Sequence, residues 1–188
     1  RDPHVQTLFA ALPLLRKEAR SSLRIPLPKE GEWLHGAAAF SGDERRPTAL
    51  LVHGTAGSSE SSYIRRAARA LVRAGYHGVA IDLRGTNASA LGAETLYHAG
   101  LTEDLSAAIA HLERDPRVGP IVVVGFSLGG QTALLLASQW GSAPPASVAK
   151  VVAASAPLDL AETARRIDSP RRALYGQYVL GGLKRNAR

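Results

Sequence analysis

The 188-residue chain contains no cysteine. That excludes a disulfide framework and any thiol chemistry. Apolar runs long enough to span a membrane are also missing; the longest is interrupted by Gly, Ser and Gln. No basic segment followed by an apolar stretch and a small-residue cleavage site opens the chain, so a cytoplasmic location is expected. There is no internal repeat and no domain linker, and the length suits one domain with a sizeable core. The net charge is +7, but aromatic residues make up only 5% of the chain and do not interleave with the arginines. No nucleic-acid motif accompanies that charge, so no nucleic-acid partner is expected. Arg65, Arg69 and Arg73 recur every fourth residue opposite Ile64, Leu71 and Val72, the pattern of a solvated helix face. A basic surface still favours acidic lipid headgroups or anionic substrates, which leaves peripheral membrane contact open. Neither a cofactor nor a metal is expected, and nothing in the chain speaks to its oligomeric state.

Strand and helix patterns alternate along the chain. Residues 23–27 and 33–40 form a weak strand pair, and Pro26 and Pro28 place it at a sheet edge. A polar loop is expected over 42–47. Residues 48–52 read as a buried strand, 61–74 as a helix closed by Gly75, and 78–83 as a second strand. Residues 86–100 are polar and irregular. Thr102 is expected to cap a helix with Glu103 and Asp104 in its first turn and Leu105, Ile109 and Leu112 facing inward. Asp115-Pro116 ends it. Residues 148–154 read as a further strand, 155–169 as a loop and short helix, and 175–183 as a last apolar stretch. Strands that are unbroken apolar runs, alternating with helices, imply a mainly parallel sheet with helices on both faces, an α/β architecture. Sites in such sheets lie at the carboxyl ends of the strands.

Residues 121–130, IVVVGFSLGG, concentrate the chemical signal. Four apolar residues, 121–124, form a short buried strand, and 131–140 a helix that stops at Gly141 and starts near Leu128. Between them lies Gly125-Phe126-Ser127-Leu128-Gly129. The five letters are weak alone in a chain with 18 glycines. Between a strand and a helix they form the strained G-x-S-x-G turn that pushes a serine hydroxyl out of a sheet, and φ above zero is expected at Ser127. Acyl transfer needs a nucleophile, a base, an orienting acid and donors for the oxyanion. Ser127 fits the nucleophile. The Leu128 amide, at a helix N-terminus, fits one oxyanion donor, and the Thr55 amide in His53-Gly54-Thr55 fits the other. His53 is expected to shape this loop rather than to catalyse. His98, expected to follow a strand end, is read as a structural residue of its loop.

Several segments together resemble the YheT-like branch of the α/β-hydrolases, predicted esterases and lipases. They are PHVQT at the start, LLVHGTAGSSESSYIR, LRG after a strand, YHAGLTEDL, VGFSLGGQTALL and VVAASAPLDL, in the family's order, reaching to about Lys184. The resemblance implies an α/β-hydrolase fold, incomplete at the C-terminus. It implies one domain over 1–188, with an arm over 1–20 and the start of a cap or lid over 155–188. It also implies hydrolysis of short-chain or lipid-like acyl esters. Gln131 stands where the family usually has Asn, Thr86-Asn87-Ala88-Ser89 replaces a Gly-containing loop, and Thr55 replaces a larger apolar residue. The fold's chain order is Ser, then Asp or Glu, then His. No histidine occurs beyond His111, so the catalytic base is absent from these residues. Asp159 is a candidate acid, although Asp159-Leu160-Ala161-Glu162 has the spacing of a helix cap, which is the favoured reading. A non-catalytic binding or scaffold protein on the same fold is the alternative.

Overall fold

The computed structural model describes residues 20–168 and, beyond them, Gly176, Gln177, Leu180, Gly181, Leu183 and Lys184. The expected arm, except Arg20, and much of the 175–183 stretch lie outside the described residues. The strands are β1 (Ser21–Pro26), β2 (Trp33–Ala39), β3 (Arg46–Val52), β4 (His77–Ile81), β5 (Val118–Phe126) and β6 (Val148–Ala154). The α-helices are α1 (Ser62–Arg73), α2 (Glu103–Leu112), α3 (Leu128–Trp140) and α4 (Leu160–Ile167). A short 3-10 turn covers Asn87–Leu91.

The six strands form one sheet in the order β1-β2-β4-β3-β5-β6. β3, β4, β5 and β6 run parallel, while β2 pairs antiparallel with both β1 and β4. Pro26 ends the edge strand β1, where a missing N–H costs no ladder bond. The central strand β3 is buried from Thr48 to Val52. Its side chains alternate between two cores, as the strand period requires. Leu50 and Val52 meet Val79, Ile81 and Val123 on one face, under Leu105 and Ile109 of α2 and Ala133 and Leu136 of α3. Leu51 and Ala80 lie on the other face, under Ile64 and Ala68 of α1. Helices therefore cover both faces of a mainly parallel sheet.

Several strand boundaries differ from expectation: β1 begins at Ser21 and not at 23, and β4 ends at Ile81 and not at 83. β5 begins at Val118, and β3 begins at Arg46, inside the expected polar loop. The pairing of these strands slips between Arg46 and Thr48. Gly119 passes against the Arg46 backbone there, with room for no side chain. Such an irregularity admits Pro120 into a central strand.

Thr102 is a further correction. It precedes α2 but makes no capping bond. Its hydroxyl donates to Gln139 Oε1 at 2.8 Å, tying α2 to α3. Asp104 lies in the first turn of α2 as expected. It is fully buried, and its carboxylate accepts from Arg84 Nε at 2.8 Å and from the Arg84 amide at 3.0 Å. Arg84 also reaches Glu103 at 2.9 Å. This ion cluster pins the loop after β4 to the start of α2, which fixes one wall of the site.

Candidate active site

Four backbone features force the shape of the turn at Ser127. Ser127 has φ 51° and ψ −122°, a conformation that side-chain-bearing residues rarely hold. A Cβ on Gly125 would lie 2.4 Å from the Gly129 carbonyl oxygen, and one on Gly129 would lie 2.3 Å from that of His53. The strand and helix can approach this closely only because both residues lack side chains. The Ser127 amide donates to the Ala154 carbonyl at 2.9 Å, joining the turn to β6. Ser127 thus has the positive φ expected of it, between β5 and a helix that begins at Leu128.

The loop after β3 is pressed against this serine. A Cβ on Gly54 would meet Ser127 Cβ at 2.8 Å and Ser127 Oγ at 3.4 Å. His53, at the strand end, is fully buried. Its Nε2 accepts from the Leu83 amide at 3.2 Å, so the ring proton sits on Nδ1 and is donated to the Gly54 carbonyl at 2.8 Å. Burial pushes the His53 pKa down, which keeps the ring neutral. Both ring nitrogens are committed to backbone, in keeping with a loop-shaping histidine.

The amides of this loop are nearly all engaged. Gly54 N–H donates to Tyr63 Oη at 2.9 Å and Ala56 N–H to Tyr97 Oη at 2.7 Å. Gly57 N–H donates to the Gly54 carbonyl at 3.0 Å, and Ser58 N–H to Ser61 Oγ at 2.9 Å. Ser59 N–H donates to the buried Asp82 carboxylate, which also accepts from Asn87 Nδ2 at 2.7 Å and lies 2.7 Å from His35 Nδ1. Thr55 N–H has no acceptor among the described residues. The Leu128 amide opens α3, where the first turn has no intrahelical acceptors to offer. Thr55 and Leu128 line the same mainly apolar cavity of about 410 Å³, walled also by Gly85, Leu96, Tyr97, Leu183 and Lys184.

The remaining candidates fall elsewhere. Asp159 is the N-cap of α4, its Oδ1 accepting the Glu162 amide at 2.8 Å, and it is exposed. His98 does not follow a strand end. It is exposed in the loop beyond the 3-10 turn, and its Nδ1 accepts the Gly100 amide at 3.2 Å. Tyr63, Tyr97 and Asp82 were not singled out by sequence reasoning. Their partners lie 9 to 41 residues away for the tyrosines and 23 away for Asp82–Ser59, and no local pattern marks such pairs. Among the described residues no group of three or more His, Asp or Glu is placed to hold a metal ion, and no helix is long and apolar enough to cross a membrane.

Known proteins share this fold. The family profile described as alpha/beta hydrolase fold matches residues 47–185. The Escherichia coli protein YheT, provisionally named an esterase, is 31% identical over 98% of this chain and 54% of its own length. Phospholipase ABHD3 of Mus musculus is 31% identical over 59% of this chain and 27% of its own. The chain thus spans about half or less of the length of these curated relatives. Among solved structures, the Pyrococcus furiosus esterase Pf2001 superposes with a TM-score of 0.67 at 24% identity, over 81% of this chain and 57% of that one. An alpha-beta serine hydrolase homologue from Coxiella burnetii gives 0.60 at 22%, over 79% and 69%. With the family profile over most of its length and YheT along nearly all of it, the chain belongs to the α/β-hydrolase fold family, on its YheT-like branch.

Proposed function

We propose that these residues carry the nucleophile and the oxyanion donors of a serine hydrolase of carboxylic esters with short or lipid-like acyl groups. One observation carries the reading. Two amides without acceptors among the described residues, Thr55 and Leu128, line one apolar cavity beside the turn that bears Ser127. In this mechanism Ser127 Oγ attacks the ester carbonyl carbon and its proton passes to a base. The carbonyl oxygen takes the negative charge and accepts from the two amides, aided by the positive end of α3. Collapse releases the alcohol and leaves an acyl group on Ser127, which water then removes. The apolar cavity holds the acyl group. The name of the phospholipase relatives fits the lipid-like end of this range, and the reading keeps the cytoplasmic setting argued from the sequence.

The oxyanion half can be tested without a base. A thiol ionises by itself near neutral pH, and the chain has no native cysteine to compete. Ser127→Cys should be acylated by a p-nitrophenyl ester about a hundredfold faster than Ser142→Cys, in an exposed loop, at equal thiolate fraction. Mass spectrometry of the acylated chains gives both rates. Equal rates would remove the proposed oxyanion donors.

A further inference from the structure

Two tyrosine hydroxyls flank the Thr55 amide, which has no acceptor among the described residues. Tyr63, on α1, accepts from the residue before Thr55, and Tyr97, in the loop after the 3-10 turn, accepts from the residue after it. Both rings are braced against the site. Tyr63 stands edge-on to Phe126, the residue before the nucleophile, with ring centres 5.4 Å apart. Tyr97 stands edge-on to His53 at 6.0 Å. Ala56, the residue that Tyr97 holds, has φ 58°, a left-handed conformation that a non-glycine residue keeps only when its surroundings impose it. The Gly54 carbonyl shares a planar peptide unit with Thr55 N–H and is fixed by two donors, His53 Nδ1 and Gly57 N–H. An amide without an acceptor ordinarily turns toward one. Here every neighbouring peptide is held, so Thr55 N–H cannot.

We propose that Tyr63 and Tyr97 are positioning residues that clamp the backbone on either side of Thr55 and keep its amide aimed at the oxyanion formed at Ser127. The proposal rests on the oxyanion role given above to Thr55. A donor fixed before the reaction needs no reorganisation when charge develops, and this is where most of its value lies.

The experiment uses the Ser127→Cys chain with Tyr63→Phe or Tyr97→Phe added, and Tyr76→Phe as a control. Acylation by a p-nitrophenyl ester is followed against ester concentration. Difference infrared spectra record the carbonyl band of the resulting thioester. Each of the two variants should lower the limiting acylation rate about tenfold, leave half-saturation within about twofold, and move the carbonyl band to higher wavenumber. The control should change neither. Variants that acylate at the parental rate with an unmoved band overturn the clamp and leave the nucleophile reading standing. A lower melting temperature and weaker saturation as the only changes would overturn the clamp equally. If the Ser127→Cys parent is no faster than Ser142→Cys, the oxyanion reading fails and the clamp with it.

Discussion

Gly129→Ala is expected to abolish the folded state, or to lower its melting temperature by about 10 °C at a cost of about 3 kcal/mol or more. The new methyl would lie 2.3 Å from the His53 carbonyl oxygen and 2.7 Å from that of Val52. Both atoms are backbone at the end of the central strand, and His53 is held by its own ring bonds, so neither can move aside. The contact is between α3 and β3, which makes the damage one of packing rather than of backbone angle. Two other glycines separate these causes. At Gly141, φ is 56° with open space around it, so alanine there should cost about 1–3 kcal/mol of strain alone. At Gly100 an added Cβ would touch only the exposed His98 ring at 3.4 Å or more, and the substitution should be nearly neutral. Thermal unfolding of the three variants, followed by circular dichroism, checks the order. A Gly129→Ala chain as stable as Gly100→Ala would mean that the turn is looser than described.

The second large effect is an absent activity. The 188-residue chain with its native serine should hydrolyse a short p-nitrophenyl ester no faster than its Ser127→Ala variant. A serine with a complete triad would exceed that variant by about four orders of magnitude or more. Serine is a weak nucleophile without a base, and no histidine follows it in these residues. Four of the five described histidines have a hydrogen-bonding partner on a ring nitrogen. His53 and His77 use both ring nitrogens, His77 accepting from Ser41 N–H and bonding the Glu44 carbonyl. His35 is paired with Asp82, His98 accepts from Gly100, and His111 sits at the last turn of α2. Asp159 spends its carboxylate on capping α4. Steady-state turnover by the two purified chains decides the matter. Robust hydrolysis lost in Ser127→Ala would place a base within these residues and make His98 or His53 its first candidates. Absence of turnover together with fast acylation of Ser127→Cys would separate a built oxyanion site from a mere scaffold.

What could be read from the sequence was what local sterics dictate. Gly125 and Gly129 are required two residues either side of Ser127, and that demand is visible in five letters. The parallel sheet followed from apolar runs alternating with helices, and Pro26 marked its edge. Reading failed where a side chain had two uses and the fold chose the distant one. Thr102 has good capping chemistry, but its hydroxyl found Gln139, 37 residues away. Asp104 does sit in the first turn of its helix, but no local pattern marked Arg84 as its partner in the core. The expected solvated arginine face is likewise only partly exposed, since Arg65 and Arg69 are half-buried. Tyr63 and Tyr97 looked like ordinary aromatic residues because their function lies in which backbone amides the tertiary fold brings to them.

The anchorage of Ser127 to β6 also bears on the motions open to the site. Ser127 N–H is held by the last residue of that strand, and among the described residues β6 has a strand neighbour on one side only. Marginal strands open in local fluctuations that leave central ones intact, at a fraction of the free energy of global unfolding. The loop bearing Thr55 grows from β3, the strand between β4 and β5. Both halves of the site stand on strands paired with each other, Ser127 on β5 and Thr55 on β3. A local opening of β6 in the 188-residue chain would therefore release the Ser127 amide and not the turn that carries the serine. Hydrogen exchange at Ser127 N–H would then run ahead of exchange within β3.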